Sequence, residues 1–141
     1  MIVTITFNNI KKVVSLNKTK TKLWLMSVSM SHKAEIKELS FNFCSDEYIL
    51  EMNKEHLNHD YYTDIITFDM GEPGGAIEGD IYISIDRVKE NAKLNNTKYD
   101  MELNRVMAHG LLHLIGFQDK TIDQQKEMRL AEDGALKLLI A

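Results

Sequence analysis

Cysteine and proline are nearly missing from this chain: each occurs once among 141 residues, as Cys44 and Pro73. A lone cysteine excludes an internal disulfide framework, and one proline excludes collagen-like and proline-rich linker compositions. Long apolar runs are absent as well. The richest, over residues 23–30, is broken by serines and falls far short of the roughly 18 residues that a membrane-crossing helix needs. The start, Met1-Ile2-Val3-Thr4, has neither the basic residues nor the apolar stretch of a secretory leader, which predicts a cytoplasmic protein. There is no overall basic charge either. The net charge is −4, so composition alone gives no sign of a nucleic-acid partner.

What remains is the make-up of a compact domain. With 44% hydrophobic and 27% charged residues in 16.2 kDa, the chain matches one folding unit of roughly 100–150 residues, residues 1–141 as a whole. Its charge is uneven: residues 1–40 hold seven Lys/Arg against two acids, and the rest hold ten against nineteen. A basic front suits either a phosphate backbone or the wet face of a helix.

Apolar periodicity orders the chain. Ile2 to Phe7 alternates as a strand, and Leu16, Leu23, Met26 and Met30 fall near helical spacing, with Lys18, Lys20 and Lys22 off that set. A second strand is expected over 35–43, followed by a helix capped by Ser45 and running to about residue 58. Tyr62 to Asp69 reads as a strand. Gly71-Glu72-Pro73-Gly74-Gly75 is the strongest turn signal, and residues 79–85 form the next strand. Asp86 is the expected cap of a helix to about Leu94, a further helix runs from about Tyr99 to Gly116, and a last one follows Thr121 with Met128, Leu130, Leu136 and Leu139 as its apolar set. The order β-α-β-α-β-β-α-α-α predicts an α+β domain with a four-stranded mixed sheet packed by about five helices.

The chemistry concentrates in His109-Gly110-Leu111-Leu112-His113-Leu114-Ile115-Gly116-Phe117-Gln118-Asp119. Histidines four apart on a helix are rotated by about 40° and separated by about 6 Å along the axis, so both imidazoles can reach one ion. Gly116 suits a helix end with positive φ, and a chain turned back there can bring Asp119 to the same ion. Three protein ligands leave a fourth position for water, the arrangement of catalytic zinc. Metalloproteases of the His-Glu-x-x-His type carry their general base directly after the first histidine. Here that place is Gly110, which disfavours peptidase chemistry. A glycine there is expected to remove bulk beside the ion and leave room for a large substrate, with the base coming from elsewhere.

The ordered motifs resemble the YbeY family of bacterial rRNA maturation factors, which are metal-dependent endoribonucleases. Met52-Asn53 with Thr63-Asp64-Ile65-Ile66-Thr67-Phe68, then Gly79-Asp80-Ile81-Tyr82-Ile83-Ser84, then His109 to Asp119 are similar to that family's motifs in the same order, from about Leu39 to the end. The resemblance implies a zinc-hydrolase-like metal site with one zinc ion per chain on His109, His113 and Asp119, which serve as both metal ligands and catalytic residues. It also implies single-strand-specific cleavage in 16S rRNA 3′-end maturation, and ribosome quality control. The partners are then ribosomal RNA and the small ribosomal subunit, with no DNA and no membrane.

Two departures stand out. The family's third histidine falls on Asp119, which lowers the charge at the ion by one, and Leu57 stands where many members carry arginine, with His59 as a weak substitute.

Weaker candidates are Asp64, Asp69 and Asp80 at strand ends, Thr67 and Ser84 as donors to phosphate, and Tyr61, Tyr62 and Phe117 as base-stacking rings. The lysines from Lys11 to Lys37 are the expected cationic contacts, and Met107, Leu111, Leu112 and Leu114 are expected core. Two rival functions remain: a ribosome assembly factor whose metal is structural, and another metal-dependent hydrolase.

Overall fold

The computed structural model describes residues 2–9, 16–57 and 63–140, apart from the side chains of Leu57 and Ile140. Among them the order is β1 (Thr4–Asn8), α1 (Lys18–Ser31), β2 (Ile36–Cys44), α2 (Asp46–Leu57), β3 (Ile65–Asp69), β4 (Ile77–Ser84), α3 (Ile85–Leu94), α4 (Tyr99–Ile115) and α5 (Ile122–Ile140). This is the expected α+β order. The four strands form one mixed sheet, β1-β2-β4-β3, in which β1, β2 and β4 are parallel and β3 runs antiparallel to β4. Among the described residues no helix is long and apolar enough to cross a membrane.

Alternation along the strands gives the sheet two different faces. One carries Ile5, Phe7, Leu39, Phe41, Phe43, Ile81 and Ile83, buried against Trp24, Leu25 and Val28 of α1 and Leu103, Met107 and Leu111 of α4. Each large side chain buried there contributes about 1.5–3 kcal/mol of transfer free energy. On the other face Cys44 and Ile66 meet Ile49 and Met52 of α2.

Two helices bury a different stripe from the one their leucines suggest. In α1 the inward residues are Thr21, Trp24, Leu25, Val28 and Ser29, while Leu23 is 61% and Met30 73% exposed. Small polar residues flanking the tryptophan let the helix lie close, and the Trp24 Nε1–H donates to the Ala135 carbonyl at 2.8 Å, tying α1 to α5. In α5 Leu130 is 72% exposed, and the buried stripe is Met128, Glu132, Ala135 and Leu136. A glutamate therefore occupies a core register.

The helix caps also differ in part. Ser45 Oγ accepts from the Tyr48 N–H as expected, but α3 is capped by Ser84, whose Oγ accepts from the Arg87 N–H at 3.1 Å. Asp86 instead accepts from the Asp46 N–H at 3.0 Å, capping the neighbouring helix α2. The Ser84 hydroxyl donates to Asp46 Oδ1 and is fully buried, so it is no donor to phosphate.

Close contact between α4 and the sheet depends on two glycines. A Cβ at Gly110 would stand 2.9 Å from Ile81 Cδ1 and 3.0 Å from Ile65 Cδ1, and one at Gly79 would stand 2.6 Å from Leu114 Cδ1. Gly110 thus makes room for the sheet and not for a substrate, which overturns the sequence-based expectation. Leu114 is only partly buried over Gly79, whereas Met107, Leu111 and Leu112 are fully enclosed. Gly110→Ala is expected to destabilise the fold by about 1–3 kcal/mol through overpacking, read as a lower urea midpoint. Gly134→Ala, in open space on α5, is expected to stabilise by about 0.5–1 kcal/mol. Equal shifts in the two variants would contradict the close-approach explanation.

Candidate metal centre

Helix α4 stops because Gly116 adopts φ 132°, a conformation that side chains resist. The Gly116 N–H bonds back to Leu112 and His113, and the Phe117 N–H reaches the Leu112 carbonyl at 3.0 Å, closing the helix end on itself. Five residues later a second lock begins. The Thr121 hydroxyl accepts from the Gln124 N–H, and Gln124 Oε1 accepts from the N–H groups of Lys120 and Thr121, a reciprocal cap that starts α5. The segment between, 116–120, is held at both ends and carries Asp119 back over the last turn of α4.

The three sequence-predicted ligands come together. His109 Nε2 and His113 Nε2 are 3.0 Å apart, and Asp119 Oδ2 lies 3.2 Å from each. Ligand atoms of a tetrahedral ion bound at 2.0–2.1 Å are separated by about 3.3 Å, so this triangle is nearly of the right size. The outer ring nitrogens are engaged. His109 Nδ1 donates to Glu132 Oε2 at 2.6 Å, and His113 Nδ1 donates to the Phe117 carbonyl at 3.0 Å. With both protons on Nδ1, the two Nε2 lone pairs and a carboxylate oxygen face one another with no donor among them, and a cation satisfies all three. The donor set fits a divalent ion; two imidazoles and one carboxylate are a known zinc ligand set.

Glu132 is the residue that sequence reasoning missed. It is 5% exposed, and its other oxygen accepts from Arg105 Nη1 at 2.9 Å, while Arg105 Nη2 reaches Asp133 at 2.8 Å. The available signal was a charged residue in register with Met128 and Ala135 on α5. Burial alone would push the Glu132 carboxyl up, but hydrogen bonds and charge from His109 and Arg105 outweigh it and hold the group below its ordinary 4.5. Burial likewise acts to lower His109, yet the Glu132 hydrogen bond and the charges of Glu132, Asp119 and Asp64 raise it above its ordinary 6.5. Without an ion, a proton is the cation that this cluster attracts.

The triad opens on a groove of about 640 Å³, lined also by Thr63, Asp64, Thr67, Asp69, Leu114 and Lys120. Asp64, Asp69 and Thr67 therefore stand where the sequence placed them, but Asp80 lies outside the lining. Burial, partly offset by the charge of His109, raises the Asp64 carboxyl above its ordinary value. Among the described residues lining the groove, Lys120 is the one lysine or arginine. Lys18, Lys20 and Lys22 are exposed elsewhere on α1, Lys37 pairs with Glu78 at 2.8 Å, and Lys11 and Lys12 lie outside the described residues. Lys33 lines an adjoining cavity with His32 and Glu35. Phe117 is partly buried, edge-on to His32 at 5.2 Å, and is no open stacking platform. Tyr61, Tyr62, His59 and the Leu57 side chain lie outside the described residues.

Fold and site together define an α+β protein that can present a three-ligand ion site at the edge of an open groove. A profile described as Endoribonuclease YbeY matches residues 4–139, nearly the whole chain. The chain belongs to the YbeY endoribonuclease family. It is 56% identical over 117 residues to Endoribonuclease YbeY of Cytophaga hutchinsonii, covering 83% of this chain and 82% of that one. The identity is 44% over 127 residues with the protein of the same name from Bacteroides fragilis, covering 90% and 91%. A solution structure of a Thermotoga maritima protein superposes with a TM-score of 0.68 at 24% identity, over 96% of this chain and 88% of that one, a likeness of fold.

The two shifted groups set a pH window for the metal-free protein. His109, raised above 6.5, contributes stability in full below that value and loses it as pH rises through its folded value. Glu132, held below 4.5, contributes above that value and loses it as pH falls. Urea midpoints of the parent and Glu132→Gln are expected to differ most between 4.5 and 6.5, and the gap is expected to narrow at alkaline pH to the part contributed by the Arg105 pair, which does not titrate there. A difference independent of pH would contradict the His109–Glu132 pair.

Proposed function

We propose that this chain, over residues 1–141 as one hydrolase domain, is a zinc-dependent endoribonuclease of single-stranded RNA. Its place is the cytoplasm, in 16S rRNA 3′-end maturation and ribosome quality control on the small subunit. The observation that carries this is the convergence of two Nε2 atoms and a carboxylate oxygen at the edge of an open groove. The endoribonuclease name of relatives at 44% and 56% identity supports RNA as the substrate, and the resemblance of the motifs supports its ribosomal origin.

His109, His113 and Asp119 would hold one zinc ion and act as the catalytic ligands. The bound ion would supply Lewis acidity to a phosphoryl oxygen of the substrate. The chain's own residues do the rest. The imidazoles are locked by their Nδ1 partners, so no reorientation is needed when substrate arrives. Lys120 meets a backbone phosphate at the groove wall. Asp64, with a carboxyl raised by burial, is suited to take a proton from the attacking oxygen, water or the substrate's 2′-hydroxyl, and to return it to the leaving oxygen. The hydroxyls of Thr63 and Thr67 can donate to phosphate oxygens along the same wall.

The assembly-factor alternative draws on the acidity of the lining, where Asp64, Asp69 and Asp119 face a single lysine. A peptidase is disfavoured further, because a side chain at position 110 would point into the sheet and could not supply a base to the groove. A single-stranded fragment spanning the precursor 3′ end of small-subunit rRNA separates the readings. Parent protein with zinc is expected to cleave it, and His109→Ala to lose that activity by at least about a hundredfold. Equal residual cleavage by both would leave the assembly role. Lys120→Ala is expected to raise KM about threefold to tenfold, to leave kcat nearly unchanged, and to reduce the salt slope by about one. An unchanged salt slope would remove Lys120 from the RNA contact.

A further inference from the structure

The two histidines of the centre are supported unequally, and the difference lies on α5. His113 Nδ1 gives its proton to a neutral backbone carbonyl on its own turn, at 3.0 Å. His109 Nδ1 meets a carboxylate at 2.6 Å, and that carboxylate comes from a residue 23 positions away on another helix. Glu132 holds a buried register between Met128 and Ala135, both of them apolar. A charge in such a place persists only with partners, and both its oxygens have them: His109 on Oε2, and on Oε1 Arg105 at 2.9 Å with Arg129 farther off at 3.6 Å. Arg105 is itself fixed by Asp133 at 2.8 Å. The chain Asp133–Arg105–Glu132–His109 therefore runs from the exposed side of the α4–α5 contact to the ion-facing nitrogen.

We infer that Glu132 is the positioning residue of the centre: it fixes His109 as the Nδ1–H form, aims Nε2 at Asp119 and His113, and thereby sets the affinity for zinc, with Arg105 holding Glu132 in place. This rests on the ion-binding reading of the triad. A carboxylate on the far nitrogen makes the imidazole a stronger donor than a carbonyl does, so His109 is the tighter of the two nitrogen ligands. Helix α5 contributes no ligand of its own, yet on this geometry it sets how firmly one is presented.

Two measurements test this on the intact chain. The first is zinc affinity by competition with a fluorescent chelator, for the parent, Glu132→Gln and Glu132→Ala. The second is the long-range proton–nitrogen spectrum of the His109 ring in metal-free protein, at a pH well above the usual histidine range. Glu132→Ala is expected to weaken zinc binding about tenfold to a hundredfold and to turn His109 from Nδ1–H into a tautomer mixture. Glu132→Gln keeps an acceptor oxygen without the charge. It is expected to retain the Nδ1–H form and lose less affinity, and it keeps the test available should the alanine variant fail to fold.

A folded Glu132→Ala that binds zinc as tightly as the parent with His109 still Nδ1–H overturns the inference, and so does a Glu132→Gln of unchanged affinity. A parent that binds no zinc refutes the proposed function instead. The ring spectrum then still decides the role of Glu132, because an Nε2–H form in the parent contradicts it and an Nδ1–H form lost in Glu132→Ala supports it.

Discussion

The bend between α4 and α5 is the constraint from which the site follows. Two histidines on adjacent turns of a helix offer an ion only two ligands, and a third has to come from a segment that returns over them. That return requires a positive φ at the helix end, which Gly116 supplies, and it requires the following residues to keep one shape. The backward bonds of Gly116 and Phe117 fix the start, and the Thr121–Gln124 cap fixes the end. Asp119 lies between two locked points, which is why a partly exposed carboxylate is held at 3.2 Å from both Nε2 atoms. The same turn contributes the carbonyl of Phe117 that sets the tautomer of His113.

Depth is decided on the opposite side of the helix. Gly110 and Gly79 remove the side chains that would hold α4 off β3 and β4, so the histidine-bearing end sits low against Ile65 and Ile81, with its own Leu114 over Gly79. His109 and His113 are consequently only partly exposed, and partial burial of Asp64, just before β3, raises its carboxyl above the ordinary value. Burial of this kind strengthens every electrostatic interaction in the groove and also makes each unpaired charge costly. The acid-rich lining is tolerable because His109 and Lys120 sit among the acids, and a divalent ion would offset them further.

Much of this was legible in the sequence, for reasons that can be stated. β1 and β4 alternate along most of their length, several turns are marked by glycine or asparagine, and the two histidines with Gly116 and Asp119 obey helix geometry and cap chemistry that act within about ten residues. Pairings across the fold were not legible. Glu132 looks like a solvent residue on α5, and only the tertiary contact with His109 and Arg105 makes burial favourable for it. Leu23, Met30 and Leu130 look like core, but Thr21, Ser29 and Ala135 are smaller and permit closer packing, so the helices turn those faces inward. Asp86 looks like the cap of its own helix and serves its neighbour's, because Ser84 reaches the Arg87 N–H first. Gly110 was readable as a residue that lacks bulk, but the side on which bulk was forbidden became visible only with the sheet in place.

Anomalous diffraction from crystals of tag-free protein, recorded at the zinc edge, tests the central claim most directly. The expected result is one peak per chain, about 2.0–2.1 Å from His109 Nε2, His113 Nε2 and an Asp119 carboxylate oxygen, with a fourth position facing the groove. A peak held by other side chains, or these three side chains turned apart with no ion between them, would contradict it.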